Sequence, residues 1–157
     1  MKFITGRDEA VLLVSNSIIH EASRMGLNMT HMKLQKLIYF VYKRFLEDNG
    51  TKLFDNVFEA WQHGPVVRIV WEQYRDYGAA SISNIYVRTD RSGDNRVVSF
   101  QRRDFYDALH HVLDMYGDND GWDLRNKTHM PNSAWSIAME RDHILCDEEI
   151  RDEVWHP

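Results

Sequence analysis

Cysteine is almost missing from this sequence: Cys146 is the only one in 157 residues. A lone thiol excludes an intrachain disulfide framework and a cysteine-based zinc site, and it fits a reducing cytoplasm. Long apolar runs are scarce as well. The opening "MKFITGRDEA" carries one lysine and then mixed polar residues, which matches neither a secretory leader nor a membrane anchor. A soluble, cytoplasmic protein is the expectation. There is no basic excess, since 19 Lys+Arg face 24 Asp+Glu for a formal charge of -5. Nucleic-acid binding would therefore require a locally basic face. The sequence also lacks a G-x-S-x-G elbow, a Walker loop and a G-x-G-x-x-G, so nucleophilic and nucleotide chemistry have no motif to stand on. No internal repeat, low-complexity tract or linker divides the chain.

What is present is apolar and aromatic. The hydrophobic share is 43%, with five Trp, seven Tyr and seven Phe, the profile of a chain that folds. Its length suits about one domain, spanning residues 1–157. Helical periodicity dominates. Val11, Val14, Ile18, Ala22 and Met25 share one face of a first helix, with Thr5 and Asp8 spaced as a capping box and Gly26 as the stop. After Thr30 a second helix places Leu34, Leu37, Ile38, Val41, Tyr42 and Phe45 on one stripe. Tyr39, Phe40 and Leu46 extend that stripe almost all round, which marks a central helix ending at Asn49 and Gly50. Gly64-Pro65 reads as a helix start, with glycine at the N-cap and proline at the first helical position. Val67, Val70, Trp71, Tyr74 and Tyr77 line that helix up to Gly78. Residues 84–100 alternate and carry the turn-like "RSGDN", predicting a small β-hairpin inserted among helices. Further helices are expected on Phe105–Tyr116, after Ser133 as N-cap, and through the acidic end from Asp147. The fold class is mainly α: a single-domain helical bundle with a small hairpin insertion.

Candidate chemistry is sparse. His63, beside Gly64-Pro65, stands near an anion-attracting helix start on this reading. His110, His111, His129 and His143 invite a metal reading, yet adjacent histidines on a helix point about 100 degrees apart and no ligand spacing accompanies them. A metal-assisted hydrolase built on His63 and His129 is the alternative they leave. Five arginines in residues 88–103 offer a second alternative, a DNA-binding autoregulator, although Asp90 and Asp94 interrupt them. Residues 140–153 hold seven acids against Arg141 and Arg151. Charge segregated in this way suits a protein partner at least as well as a nucleic acid. Trp61, Trp71, Trp122 and Trp135 are expected mostly in the core, and any left exposed would serve as anchors for a partner.

The block "KLQKLIYFVYKRFLEDNGTKLFDNVFEAWQHGPVVRIVWEQYRDYG", residues 33–78, resembles the hallmark of the Panacea domain family of SocA-like antitoxins, also called phage-associated proteins. In that family a "KLQKLLY" helix precedes an "EAWxxGPV" turn. Thr128 to Trp135 resembles the family's C-terminal "TH...PW" element, with Ala134 where proline is usual. The resemblance implies a non-enzymatic antitoxin without cofactors that binds a cognate toxin protein, and in one branch an adaptor delivering the toxin to a Clp protease. Carried over, Lys33, Leu34, Gln35, Lys36, Leu37 and Tyr39 match the helix motif. Glu59, Ala60, Trp61, Gly64, Pro65 and Val66 match the turn, and His129 and Trp135 the last element. Gln35, Trp61, His63 and His129 are expected near one shared polar spot, and Arg68 is expected to face the partner.

Overall fold

The computed structural model describes residues 6–83, 85 and 97–157, and helix α2 (His31–Asn49) lies at its centre. Both ends of α2 follow from local chemistry. Thr30, in extended conformation, accepts the Lys33 N–H, and Gly50 takes a left-handed φ of 70° and donates to the Leu46 carbonyl, closing groups a helix end leaves open. Between these caps Leu34, Leu37, Ile38, Tyr39, Phe40, Val41, Tyr42, Phe45 and Leu46 are all buried, as the all-round apolar pattern predicts. A helix apolar on every side must be covered on every side. Its cover consists of α1 (Gly6–Arg24), strand β2 (Gly64–Val66), α3 (Arg68–Tyr74), α4 (Arg103–Tyr116), α5 (Gly121–Thr128) and α7 (Asp147–Asp152).

The covering helices bury the faces their periodicity assigns. In α1, Val11, Val14, Ile18 and Ala22 are buried, whereas Met25 lies past the last turn and is exposed. The proposed cap at Thr5 falls outside the described residues. In α4, Phe105, Ala108, Leu109, Val112, Leu113 and Tyr116 form one buried stripe. Ser133 caps α6 (Ala134–Met139) by accepting the Ser136 N–H. Aromatic rings fill the space beside α2: Tyr39 and Tyr42 each meet Phe58 edge-on, at 5.4 and 5.1 Å between centroids.

Polar side chains on α2 fasten its neighbours. Lys33 Nζ donates to the Gly117 carbonyl at 2.6 Å, at the end of α4. Lys43 Nζ donates to the carbonyls of Ile150 and Arg151 in α7. Glu153 Oε1 accepts from the Tyr39 hydroxyl and from the Ala134 N–H, both at 2.8 Å. Burial pushes the Glu153 carboxyl above the usual carboxylate range.

The class is mainly α with one small two-stranded antiparallel hairpin among the described residues, but that hairpin is at 59–66. Most of the segment expected to form one, residues 84 and 86–96, lies outside the described residues. Its described end, residues 97–100, carries no strand. There Val98 donates its N–H to Ser17 Oγ and accepts the Tyr106 hydroxyl.

Candidate functional site

Strand β1 (Glu59–Trp61) pairs with β2 so that Glu59 faces Val66, Ala60 faces Pro65 and Trp61 faces Gly64. Gln62 and His63 form the two-residue turn. This corrects the expected helix start at Gly64-Pro65: both residues are in a strand, and α3 begins at Arg68 with Val67 as its N-cap. The physical reason is backbone geometry. Gly64 has φ +117, a region side-chain-bearing residues rarely adopt, and a Cβ there would come within 2.5 Å of Lys36 Cε and 2.9 Å of Thr128 Oγ1. Glycine is required because the hairpin lies directly on α2 and α5. Proline fits a short two-stranded ribbon because its missing N–H is tolerated at an edge position.

Gln35 holds the junction between hairpin and helix. Its Oε1 accepts the Val67 N–H at 3.1 Å and its Nε2 donates to the Val67 carbonyl at 3.3 Å. Val67 has no side-chain cap of its own, and a residue 32 positions earlier fixes its main chain instead. The turn is held from the other side by α5 and α6. His129 sets Nε2 2.9 Å from the Gln62 carbonyl and Nδ1 2.7 Å from the Arg125 carbonyl. Its ring lies 3.7 Å from that of Trp135, whose Nε1 donates to the Trp61 carbonyl at 2.7 Å. Burial lowers the His129 pKa against those carbonyl bonds, which raise it.

The outer face of the hairpin is built from tryptophan and arginine. Trp61 and Trp71 meet edge-on at 5.3 Å. Arg68 lies 5.2 Å over the Trp61 ring while pairing with Glu59 at 2.7 Å. Arg75 lies 5.1 Å over Trp71, and Arg125 5.7 Å over Trp122. Arg125 also donates to His63 Nδ1, and the His63 ring meets Trp122 edge-on at 5.4 Å. The expectation that these tryptophans are mostly core is overturned: Trp61, Trp71 and Trp135 are half-buried and Trp122 is 56% exposed. Arginine planes lie over Trp61, Trp71 and Trp122, and the His129 ring lies against Trp135.

Under this face lies a cavity of about 360 Å³, lined by His31, Gln35, Lys36, Trp61, Val66 and Trp71 among others. Burial pushes the Lys36 ammonium down to about 7, helped by the nearby Arg125 charge. Burial, with Lys36 adding repulsion, takes His31 down to about 4.

Gln35, Trp61, His63, Gly64, Pro65, Arg68, His129 and Trp135 thus all fall in the hairpin or in side chains that hold it. Of these, Gln35, Gly64 and Pro65 are interior, while His63 and Arg68 are exposed. Trp71, Arg75, Trp122 and Arg125 were not singled out as one face. The signal was available, since Arg75 follows Trp71 by four positions and Arg125 follows Trp122 by three, spacings that bring helical side chains together. Lys36 and His31 gave no such signal, because lysine burial depends on what covers the helix. The metal-hydrolase alternative finds no ligand set: among the described residues no group of three or more His, Cys, Asp or Glu is placed to hold an ion. Of the arginines in 88–103, most lie outside the described residues, and Arg102 is paired with Asp104 at 3.0 Å.

A helical scaffold that presents a short hairpin ringed by arginine-covered tryptophans defines the class of fold and site. The chain belongs to the antitoxin SocA-like, Panacea domain family, whose model matches residues 34–136. It is 29% identical over 148 residues to Antitoxin SocA of Caulobacter vibrioides (strain NA1000 / CB15N), an alignment covering 88% of this chain and 79% of that protein. No solved structure gives a significant match. The matched segment runs from α2 into α6 and contains the whole hairpin. Among the described residues, no helix is long and apolar enough to cross a membrane.

Proposed function

We propose that this protein is an antitoxin that neutralises a cognate toxin protein by direct binding, with the chain acting as one Panacea-like unit and without catalysis of its own. Membership of the SocA-like family is the observation that carries this reading. The tryptophan–arginine face supports it physically, because these two residue types dominate the energetics of protein interfaces. Arg68, Trp61, Trp71, Arg75 and Trp122 are the contact residues on this reading. Gln35, Gly64, Pro65, His129 and Trp135 hold the face in shape. Acting in the cytoplasm, the protein either blocks its toxin in a stable complex or, as the family resemblance allows, hands it to a Clp protease.

Co-expression with the adjacent gene tests the proposal. Growth arrest by that gene alone, rescue by this protein and co-purification of the two are expected. A neighbour that is harmless alone and does not co-purify overturns it. The toxin's half-life separates the two modes: it lengthens in a blocking complex and shortens under delivery.

A further inference from the structure

Three lysines of α2 are buried, and they differ in one respect. Lys33 and Lys43 each place Nζ on main-chain carbonyls at helix ends. Lys36 is 2% exposed, yet among the described residues its Nζ makes no hydrogen bond and no ion pair. The side chain lines the cavity beneath Trp61 and Trp71. An ammonium so nearly buried, with no protein acceptor, is open to an anionic group that enters the cavity.

His31 belongs to the same cavity. Its Nε2 is buried and, among the described residues, has no hydrogen-bond partner. None of the side chains lining this cavity is acidic, and the nearby charge that acts on Lys36 is Arg125, a second cation. The local potential is therefore positive in a chain whose net charge is -5. Met32, Val66, Trp61 and Trp71 give it apolar walls, beside the neutral polar Gln35 and Gln62 and the ring of His63. Gly64 keeps the place open, since any side chain there would displace Lys36 Cε.

The chemistry that completes such a site is one carboxylate attached to an apolar body. The carboxylate would accept from Lys36 Nζ, to which no protein acceptor among the described residues is bonded. The apolar body would cover the tryptophan walls. An aspartate or glutamate side chain brings only one or two methylene groups and leaves most of those walls bare. A C-terminal apolar residue brings both parts, and a cavity of about 360 Å³ has room for it.

We propose that this cavity is a receptor for the C-terminal residue of the bound protein partner, with Lys36 receiving the terminal carboxylate and Trp61 and Trp71 enclosing its apolar side chain. The proposal rests on the reading of this protein as one that binds a protein partner, and it adds the anchor that partner supplies.

Short peptides test it without the partner. The probes are N-acetyl-Gly-Ser-Phe as the free acid, the same peptide with an amidated C-terminus, and N-acetyl-Gly-Glu-Gly-amide, which carries only a side-chain carboxylate. Binding is read from the Lys36 Nζ signal in lysine-resolved NMR and by calorimetry. The free acid is expected to shift that signal, raise the Lys36 pKa and bind at least about tenfold more tightly than the amide. Lys36→Met is expected to lose that preference while still folding and unfolding cooperatively, and Lys36→Arg to retain part of it. Equal binding of acid and amide overturns the proposal, as does a preference for the acid that survives in Lys36→Met. Binding of the glutamate peptide as tightly as the free acid overturns the terminal assignment, and failure of all three peptides to reach Lys36 overturns the site. The comparison of acid with amide is made on the wild-type protein, so it stands even if a variant misfolds. If no neighbour co-purifies but the free acid binds at Lys36, the antitoxin reading fails and the receptor stands. Co-purification with no peptide selectivity gives the reverse.

Discussion

Gln35 satisfies both main-chain groups of Val67, accepting its N–H and donating to its carbonyl across 32 residues of sequence. The contact is buried and joins the central helix to the point where β2 becomes α3. Gln35→Ala is expected to leave the Val67 N–H unpaired, while its carbonyl keeps the Val70 and Trp71 N–H groups, and to destabilise the protein by about 1–3 kcal/mol. Urea denaturation checks this; a loss near zero would show that the junction is held by other means.

Gly64 is the residue that lets the hairpin touch α2. Gly64→Ala adds a Cβ at φ +117 that meets Lys36 Cε, and a loss of about 1–3 kcal/mol is expected from backbone strain alone. Pro65→Ala creates no clash and is expected to cost only about 0.4–1 kcal/mol, through a more flexible unfolded chain. Thermal or urea unfolding of the two variants ranks them. A Pro65 variant less stable than the Gly64 variant would contradict this account of the turn.

Arg68 is exposed, and its partners are Glu59 and the face of Trp61. Arg68→Glu places like charges side by side but buries nothing, so the melting temperature is expected to move little while toxin rescue is lost. Melting and rescue measured on the same variant decide the matter. Rescue that survives removes Arg68 from the contact surface.

Lys36 gives stability a pH dependence of known sign. Its ordinary value is 10.5 and the folded value is about 7, so between these limits the unfolded chain binds a proton that the folded protein has released. Stability therefore rises with pH from about 7 towards 10.5. Lys36→Met is expected to remove that slope and to raise stability at pH 7 by about 1–4 kcal/mol, as replacement of a buried charge by an apolar side chain often does. Urea midpoints across this range test both statements; an unchanged slope in the variant assigns it to another group.

His31 acts at the opposite end of the scale. Its folded value of about 4, against an ordinary 6.5, means that the unfolded chain takes up a proton first as pH falls. Stability is expected to drop between about pH 6.5 and 4, and His31→Gln is expected to flatten that decline. Acid unfolding followed by tryptophan fluorescence measures it.

The helices could be read from the chain because their signals are local. The Thr30 cap, the left-handed Gly50 and the all-round apolar run of α2 lie within a few residues of the positions they govern. Gly64-Pro65 could not be read this way. By local chemistry it opens a helix, and it forms a strand because α2 and α5 lie beneath it and because Gln35 fixes the Val67 main chain from a distance. The same limit applied to the site. The motif residues do gather around one hairpin, but which of them are interior depended on packing from α5 and α6. The tryptophans read as core because size favours burial, whereas arginines lie over Trp61, Trp71 and Trp122 and His129 lies against Trp135.

Because α2 is covered on every side and also supplies the floor of the tryptophan–arginine face, the face has no independent existence. A helix on an outer layer can fray while the rest of a protein stays closed, but the amides of α2 can exchange with solvent only when its covers come away together. Hydrogen exchange along α2 should accordingly follow the global unfolding free energy, with no sub-global opening that spares the hairpin. On the proposed function, recognition is then all or none: each molecule in a population either presents the complete surface or presents none of it.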